Sequence, residues 1–234
     1  MKIALFGYGR MGKEIEKIAI KRGHTVVLKI TYGEEKKDLS NVDVALDFTY
    51  PSAAFDNVKY CLENNTPIVS GTTGWLEEYE EISEICKLHN GTFLHASNFS
   101  LGVHLFFELN KYLAKLMADY SQMYEPNITE IHHVKKMDAP SGTAIALTEP
   151  ILENFKLNRW YLDILRKEEG LPIIAKRIEN TPGTHIVEYE SDVDIIEIKH
   201  TAKNRKGFAL GAIMAAEFIH NKKGIFTMKD VLSL

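Results

Sequence analysis

Cysteine is nearly absent from these 234 residues, with Cys61 and Cys86 the only two. Two thiols cannot staple a disulfide scaffold, and these lack the short spacing of a metal knuckle. Positive charge is not in excess either: Lys+Arg number 28 against Asp+Glu 32, for a formal net charge of -4. Proteins that hold nucleic acid through its phosphates are normally basic, so no nucleic-acid partner is expected. No apolar run approaches the roughly 18 residues of a membrane helix, and no membrane partner is expected. Met1-Lys2 followed by Ile3-Ala4-Leu5-Phe6 is too short for a signal peptide and runs straight into glycines. Internal repeats, low-complexity tracts and Ser/Pro linkers are missing as well. What remains is 45% hydrophobic and 26% charged, the balance of an ordinary globular protein, expected in the cytoplasm.

The first hundred residues alternate short apolar runs with amphipathic stretches. Ile3 to Phe6, Thr25 to Ile30, Val42 to Phe48, Ile68 to Ser70 and Phe93 to Ala96 read as strands. Between them, Met11 to Arg22, Ala53 to Glu63 and Leu76 to His89 have helical spacing, and Gly23 stands where a C-cap glycine belongs. This alternation predicts an α/β fold with a Rossmann-type parallel sheet covered on both faces. Past Leu101 the pattern changes. A helix is expected over Leu101 to Met117, a strand over Asn127 to Val134, and a helix from Ser141 to about Phe155. Ile186, Tyr189, Ile196 and Ile198 alternate with charged neighbours, as in antiparallel strands with one wet face. Phe208 to His220 is again helical. Domain boundaries are expected near residues 102 and 208.

Gly7-Tyr8-Gly9-Arg10-Met11-Gly12 is a G-x-G-x-x-G set directly after the first strand and opening the first helix. That context is what a dinucleotide fingerprint needs: a tight turn, close backbone approach to a pyrophosphate, and a helix N-terminus facing the anion. An acidic residue for the adenosine ribose usually closes the second strand. Here the strand closes on Ile30-Thr31-Tyr32-Gly33, and the first acids are Glu34 and Glu35. Either those glutamates reach back, or no carboxylate reads the 2′ position. Thr31 then predicts acceptance of both NADH and NADPH, with Lys29, Lys36 and Lys37 as nearby cations. Asp47-Phe48-Thr49, Ser70-Gly71-Thr72-Thr73-Gly74 and Ala96-Ser97-Asn98-Phe99-Ser100 each end a strand, where ligands of open α/β sheets bind.

The densest chemistry runs from Glu130 to Ala144. His132 can move a proton near neutral pH, Lys136 can balance a carboxylate or donate a proton, and the Gly142 and Thr143 N–H groups can hold an anion at a helix start. A fully extended strand would hold His132 and Lys136 about 13 Å apart, so one joint site requires the chain to bend. No metal site is expected, because the adjacent His132 and His133 point to opposite faces of a strand and no further ligand follows at suitable spacing.

Assembled in order, these residues resemble the 4-hydroxy-tetrahydrodipicolinate reductase (dihydrodipicolinate reductase) family. The resemblance rests on Gly-Tyr-Gly-Arg-Met-Gly at 7–12, Asp-Phe-Thr at 47–49, Gly-Thr-Thr-Gly at 71–74 and Asn-Phe-Ser-Leu-Gly-Val at 98–103. Glu-Ile-His-His at 130–133, Lys-Met-Asp-Ala-Pro-Ser-Gly-Thr-Ala at 136–144 and His-Thr-Ala-Lys-Asn-Arg at 200–205 complete it. The resemblance implies a dinucleotide-binding domain of residues 1–101 plus 209–234. A smaller α+β domain of residues 102–208, with a mixed sheet, would serve substrate binding and homotetramer assembly. It implies reduction of a small dicarboxylate, 4-hydroxy-tetrahydrodipicolinate, by NADH or NADPH. His132 and Lys136 match the family's catalytic positions, and His133, Gly142 and Thr143 its substrate contacts. Gly7, Tyr8, Gly9, Arg10, Met11, Gly12, Gly71, Thr72, Thr73, Ala96, Ser97, Asn98 and Phe99 match its cofactor contacts. The glycine loop is one residue shorter than the common form. Further shortening is expected in loops, including the segment near 155–185. The alternative is another two-domain NAD(P) dehydrogenase acting on a small carboxylate or amino acid.

Overall fold

The computed structural model describes residues 1–31, 33–34, 37–162 and 169–234. These form two compact units, Met1–Leu101 with Arg205–Leu234, and Gly102–Asn204. In chain order the elements begin β1 (Lys2–Phe6), α1 (Arg10–Lys21), β2 (Thr25–Ile30), β3 (Val44–Asp47), α2 (Pro51–Glu63), β4 (Ile68–Ser70), α3 (Tyr79–Leu88) and β5 (Thr92–His95). They continue as α4 (Leu101–Met117), β6 (Glu125–His132), α5 (Gly142–Phe155), β7 (Trp160–Leu162), β8 (Leu171–Arg177), β9 (Thr184–Glu190) and β10 (Ile195–Thr201). The chain then returns to the first unit with α6 (Lys206–Ile219), β11 (Gly224–Phe226) and α7 (Met228–Leu232).

The first unit is built on a six-stranded sheet in the order β11-β5-β4-β3-β1-β2, with every neighbouring pair parallel. The period-2 alternation of a strand divides β1 between two cores. Ile3 and Leu5 pack with Ile15 and Ala19 of α1 and with Ala212, Ile213 and Ala216 of α6. Ala4 and Phe6 pack with Ala54, Val58 and Leu62 of α2 and Ile82 of α3. With both faces covered, β3 is buried at all four positions, which is why Val44-Ala45-Leu46 reads as an apolar run up to the buried Asp47. The chain leaves β1 for β2 and returns to β3 on the other side of β1. A crevice therefore opens at the carboxyl ends of β1 and β3.

The second unit holds a mixed sheet in the order β10-β9-β6-β8-β7: β10–β9 and β9–β6 are antiparallel, β6–β8 and β8–β7 parallel. Helices α4 and α5 cover one face, where Phe106, Ala114, Leu147 and Ile151 meet Ile128, Ile173, Val187 and Tyr189. By alternation the other face carries Thr129, Ile131, Ile174 and Ile186. Three expectations need correction. Ile186 and Tyr189 do not share a face of β9, since Val187 is the residue that joins Tyr189 in the helix-covered core. The 155–185 segment contains β7 and β8 rather than loop alone. The second boundary falls at 204/205 rather than 208/209, because Ala209 N already donates to Arg205 O in the first turn of α6. No described helix is long and apolar enough to cross a membrane.

Candidate functional site

In the first unit, two of the three loop glycines are fixed by packing. Gly7 has φ +90°, and a Cβ there would lie 2.2 Å from the Phe48 carbonyl oxygen. A Cβ on Gly12 would lie 2.2 Å from the Gly7 carbonyl oxygen. Gly9 differs, because nothing lies within 4 Å of where its Cβ would stand. Its smallness therefore serves space beyond the protein's own atoms. Gly9 is the N-cap of α1, no side chain caps that helix, and its first turn holds no acid. Free N–H groups and the positive dipole end are thus left for an anion. Gly7, Tyr8, Gly9, Arg10 and Met11 line a cleft of about 610 Å³, together with Thr31, Glu34, Phe48 and Thr49. That volume falls within the ordinary range for small-molecule sites, and the donor set fits a dinucleotide pyrophosphate.

Asp47, at the carboxyl end of β3, organises the neighbouring loops. Its fully buried carboxylate accepts from Thr49 Oγ1 at 2.7 Å, Asn57 Nδ2 at 3.0 Å, Ser70 Oγ at 3.0 Å and Thr72 Oγ1 at 2.6 Å. Burial pushes its pKa upward against these four donors. Thr72 also accepts from Thr49 N at 2.9 Å, so its side chain is committed within the protein. The Gly71 backbone packs closely against the Phe48 ring, which a Cβ would meet at 2.2 Å. Thr73 and Ser97 are exposed, and Ala96 is half-buried. Asn98 Oδ1 accepts from Ser100 N at 2.8 Å. Phe99 is a core residue, 5.5 Å from the Phe48 ring and with its carbonyl oxygen pressed on Gly211 of α6. Thr72 and Phe99 can therefore offer a cofactor backbone only.

The end of β2 changes the reading of the ribose position. Glu34 reaches back: its Oε2 accepts from Thr31 N at 3.0 Å, while Glu34 N donates to Thr31 O at 3.2 Å. A carboxylate thus stands beside Thr31 in the cleft wall, held below its usual pKa first by that Thr31 N–H. Lys29 is not available to a 2′-phosphate, since it pairs with Glu16 at 2.6 Å and lies over the Tyr8 ring at 4.5 Å. Tyr8 donates in turn to Glu16. Lys37 stands 3.8 Å from Glu34, and Glu35 and Lys36 lie outside the described residues.

In the second unit, strand register explains the cluster around His132. Glu130 and His132 are two apart on β6 and share the helix-covered face. Glu130 sits opposite His185 of β9, and His132 opposite Arg177 of β8. The His132 and His185 rings meet edge-on at 5.0 Å. Glu130 Oε2 accepts from Ser141 N at 3.0 Å and lies 3.6 Å from His132 Nδ1, while Oε1 accepts from Arg177 at 3.1 Å. Burial alone would raise the Glu130 carboxyl, but Ser141, His132 and Arg177 outweigh it and hold the group below its usual range. Burial lowers His132, Lys136 and Arg177 lower it further, and Glu130 opposes them. His185 is pushed down to about 4, chiefly by burial and then by His132.

Strand β6 ends at His132 rather than Val134, and the chain then bends. Lys136 N donates to His133 O at 3.0 Å, which closes a turn and ends the extended geometry that separated His132 from Lys136. Lys136 Nζ donates to both Asp138 carboxylate oxygens, at 2.8 and 2.7 Å. His133 is half-buried, with Nδ1 enclosed and unbonded. Ser141 caps α5 by accepting from Ala144 N at 3.2 Å, while exposed Gly142 and half-buried Thr143 form its first turn. Glu130, His132 and His185 do place possible metal-ligand atoms within 4.8 Å of one another. Both Glu130 oxygens are nevertheless engaged, one by a guanidinium, which offsets the negative charge that holds a cation. The lysine, arginine and helix start suit an anion instead. Sequence reading missed Arg177 and His185, and it gave Glu130 no role. The i, i+2 spacing of Glu130 and His132 was the available signal for the last.

The chain matches the family model of the dihydrodipicolinate reductase N-terminus over residues 1–99 and that of its C-terminus over residues 102–232. It belongs to the dihydrodipicolinate reductase family. The 4-hydroxy-tetrahydrodipicolinate reductase of Christiangramia forsetii is 56% identical, over 100% of this chain and 98% of that one. That of Thermosipho africanus is 36% identical, over 99% and 98%. A solved structure titled as dipicolinate-bound dihydrodipicolinate reductase, from Paenisporosarcina sp. TG-14, shares the fold at a TM-score of 0.76 over 97% of both chains, with 22% sequence identity. An engineered D-amino acid dehydrogenase bound to NADP+ shares it at 0.55, over 97% of this chain and 93% of that one at 14% identity. At these identities both likenesses are of fold alone. Within the family, the glycine loop and the Glu130–Thr143 cluster fall in the halves matched by the two separate models.

Proposed function

We propose that this protein reduces 4-hydroxy-tetrahydrodipicolinate to tetrahydrodipicolinate with NADH or NADPH, losing water, in lysine and diaminopimelate biosynthesis. The observation that carries this reading is the 56% identity, over the full chain, to the curated reductase of C. forsetii. The bound nicotinamide supplies the hydride. In the first unit, Gly7, Tyr8, Gly9, Arg10, Met11 and Gly12 would hold the pyrophosphate with the α1 start. Gly71 to Thr73 and Ala96 to Phe99 would border the cofactor through backbone and exposed hydroxyls.

In the second unit, Gly142 and Thr143 N–H groups, Lys136 and His133 would take the two carboxylates of the substrate. Lys136 must exchange Asp138, which is 60% exposed at its side chain, for a substrate carboxylate. His132 moves the proton. Burial holds it below its usual pKa and so mostly neutral at pH 7, and an arriving dianion favours the imidazolium. Substrate would thus load the proton that the reaction consumes. We place a homotetramer and a cytoplasmic location in the same reading. Half-buried Ile131, Ile174 and Ile186 on the outer sheet face support the first, as do exposed Leu105, Leu109, Tyr112 and Leu116 along α4. The test is a coupled assay that generates the unstable substrate in situ and follows nicotinamide absorbance. Substrate-dependent loss with either cofactor is expected, and no loss with both overturns the reading.

A further inference from the structure

We propose that Arg177 is the positioning residue of this site, its one guanidinium fastening the Lys136 loop to the buried Glu130 beside His132. Register places it: β8 ends at Arg177, directly opposite His132, where β6 also ends. Its four hydrogen bonds diverge. Nη1 donates to Glu130 Oε1 at 3.1 Å and to Lys176 O at 3.1 Å, Nε donates to Lys136 O at 3.3 Å, and Nη2 donates to Asp138 O at 2.6 Å. Two of the four acceptors are the backbone carbonyls of Lys136 and Asp138 themselves, on the loop that carries the ammonium, and a third is the carbonyl of the neighbouring Lys176. The fourth is a fully buried carboxylate that needs a cation to remain ionised. Only a planar fork of five N–H donors spans such a set, and an ammonium on a flexible stem cannot.

The loop from Val134 to Asp138 has little else to hold it. Val134, Lys135, Met137 and Asp138 are exposed, and Met137 is 94% accessible. Arg177 therefore does two things. It fixes the backbone from which the Lys136 ammonium projects, and it keeps a carboxylate charge beside His132. It need not touch substrate for either.

This assignment rests on the reductase reading for its kinetic consequences but not for its structural one, so two measurements separate them. The first is hydrogen exchange in Arg177→Gln. Amides of residues 134–138 should lose at least tenfold in protection while those of residues 128–131 keep theirs. Unchanged exchange in the loop overturns the clamp, whatever the enzyme's substrate. The second is kinetic, on the wild type, Arg177→Gln, Arg177→Lys, Lys136→Ala and the Arg177→Gln/Lys136→Ala double variant. Arg177→Gln should lose roughly ten- to a hundredfold in kcat with NADH affinity unmoved, and Arg177→Lys should recover little. Lys136→Ala should then cost under about tenfold in the Arg177→Gln background, far less than in the wild type. Millimolar guanidinium should restore part of the rate of Arg177→Ala. Fully additive losses, or wild-type kcat in Arg177→Lys, overturn the positioning role. A wild type without turnover would sink the reductase reading and leave the exchange result to decide the clamp.

Discussion

Among the described residues the Lys136 ammonium is hydrogen-bonded to the exposed Asp138 alone, so it can exchange partners while its backbone stays fixed. Its replacement by alanine should lower kcat by about 10²–10⁴-fold and leave NADH affinity unchanged, as for other general-acid groups. Isothermal titration with NADH beside steady-state rates checks both halves. A variant keeping more than about a third of the wild-type rate would remove Lys136 from the chemistry. His132 gives a pH signature whose sign follows from its surroundings. Its pKa is lowered in the free protein, and in the proposed reaction the imidazolium would be the reactive form, so kcat/KM should fall as pH rises through a value below 6.5. Bound dianion raises that pKa, so the descending limb of kcat should lie at higher pH than that of kcat/KM. Coincident limbs would deny substrate-linked protonation. Glu34 makes a third claim at this scale. Its carboxylate beside Thr31 should repel a 2′-phosphate, reversing the expectation of even cofactor use drawn from Thr31 alone. NADH should be favoured over NADPH, and Glu34→Gln should narrow the ratio of kcat/KM values about tenfold, measured at one ionic strength.

At the scale of elements, the sequence announces those whose burial is one-sided or complete over several residues. Amphipathic α1 and the apolar runs of β1 and β3 were legible for that reason, as was the glycine turn between β1 and α1. β8 was not. Pro172 stands inside it, and proline argues against a strand that is paired on both sides, as this one is by β6 and β7. Losing β8 meant losing Arg177, and with it the reason why the Lys136 loop bends back. His185 escaped for a related reason: only pairing register, which no local pattern encodes, sets it opposite Glu130. The glycine loop supports a prediction that separates fold from function within one turn. Gly9→Ala meets no protein atom and has φ -81°, so it should fold normally and lose NADH affinity by tenfold or more. Gly7→Ala meets a carbonyl at 2.2 Å with φ +90° and should lower the melting temperature as well. Equal NADH binding by Gly9→Ala and wild type would mean that the open space there is not used by the cofactor.

The whole molecule leaves more apolar surface uncovered than one chain needs. Four large side chains on α4, Leu105, Leu109, Tyr112 and Leu116, are 49, 49, 62 and 50% exposed, at the i, i+4, i+7, i+11 spacing of a single helical stripe. The second sheet adds another surface. Helices cover the face carrying Ile128, Val187 and Tyr189, while Thr129, Ile131, Ile174 and Ile186 turn the other way. A monomer bears isolated apolar residues without consequence, but contiguous patches usually mark association. Closed symmetric assemblies bury such faces against copies of themselves. With the homotetramer proposed above, light scattering on the wild type should give four times the chain mass. Ile186 lies on β9, between β10 and β6, so a charge there would be desolvated at any contact that uses the outer face. Ile186→Glu should give a smaller assembly with unchanged far-ultraviolet circular dichroism, because in the isolated chain the side chain points away from the helix-covered core. If Ile186→Glu keeps the wild-type mass, the subunits do not meet through this sheet, and the α4 stripe becomes the surface to mutate next.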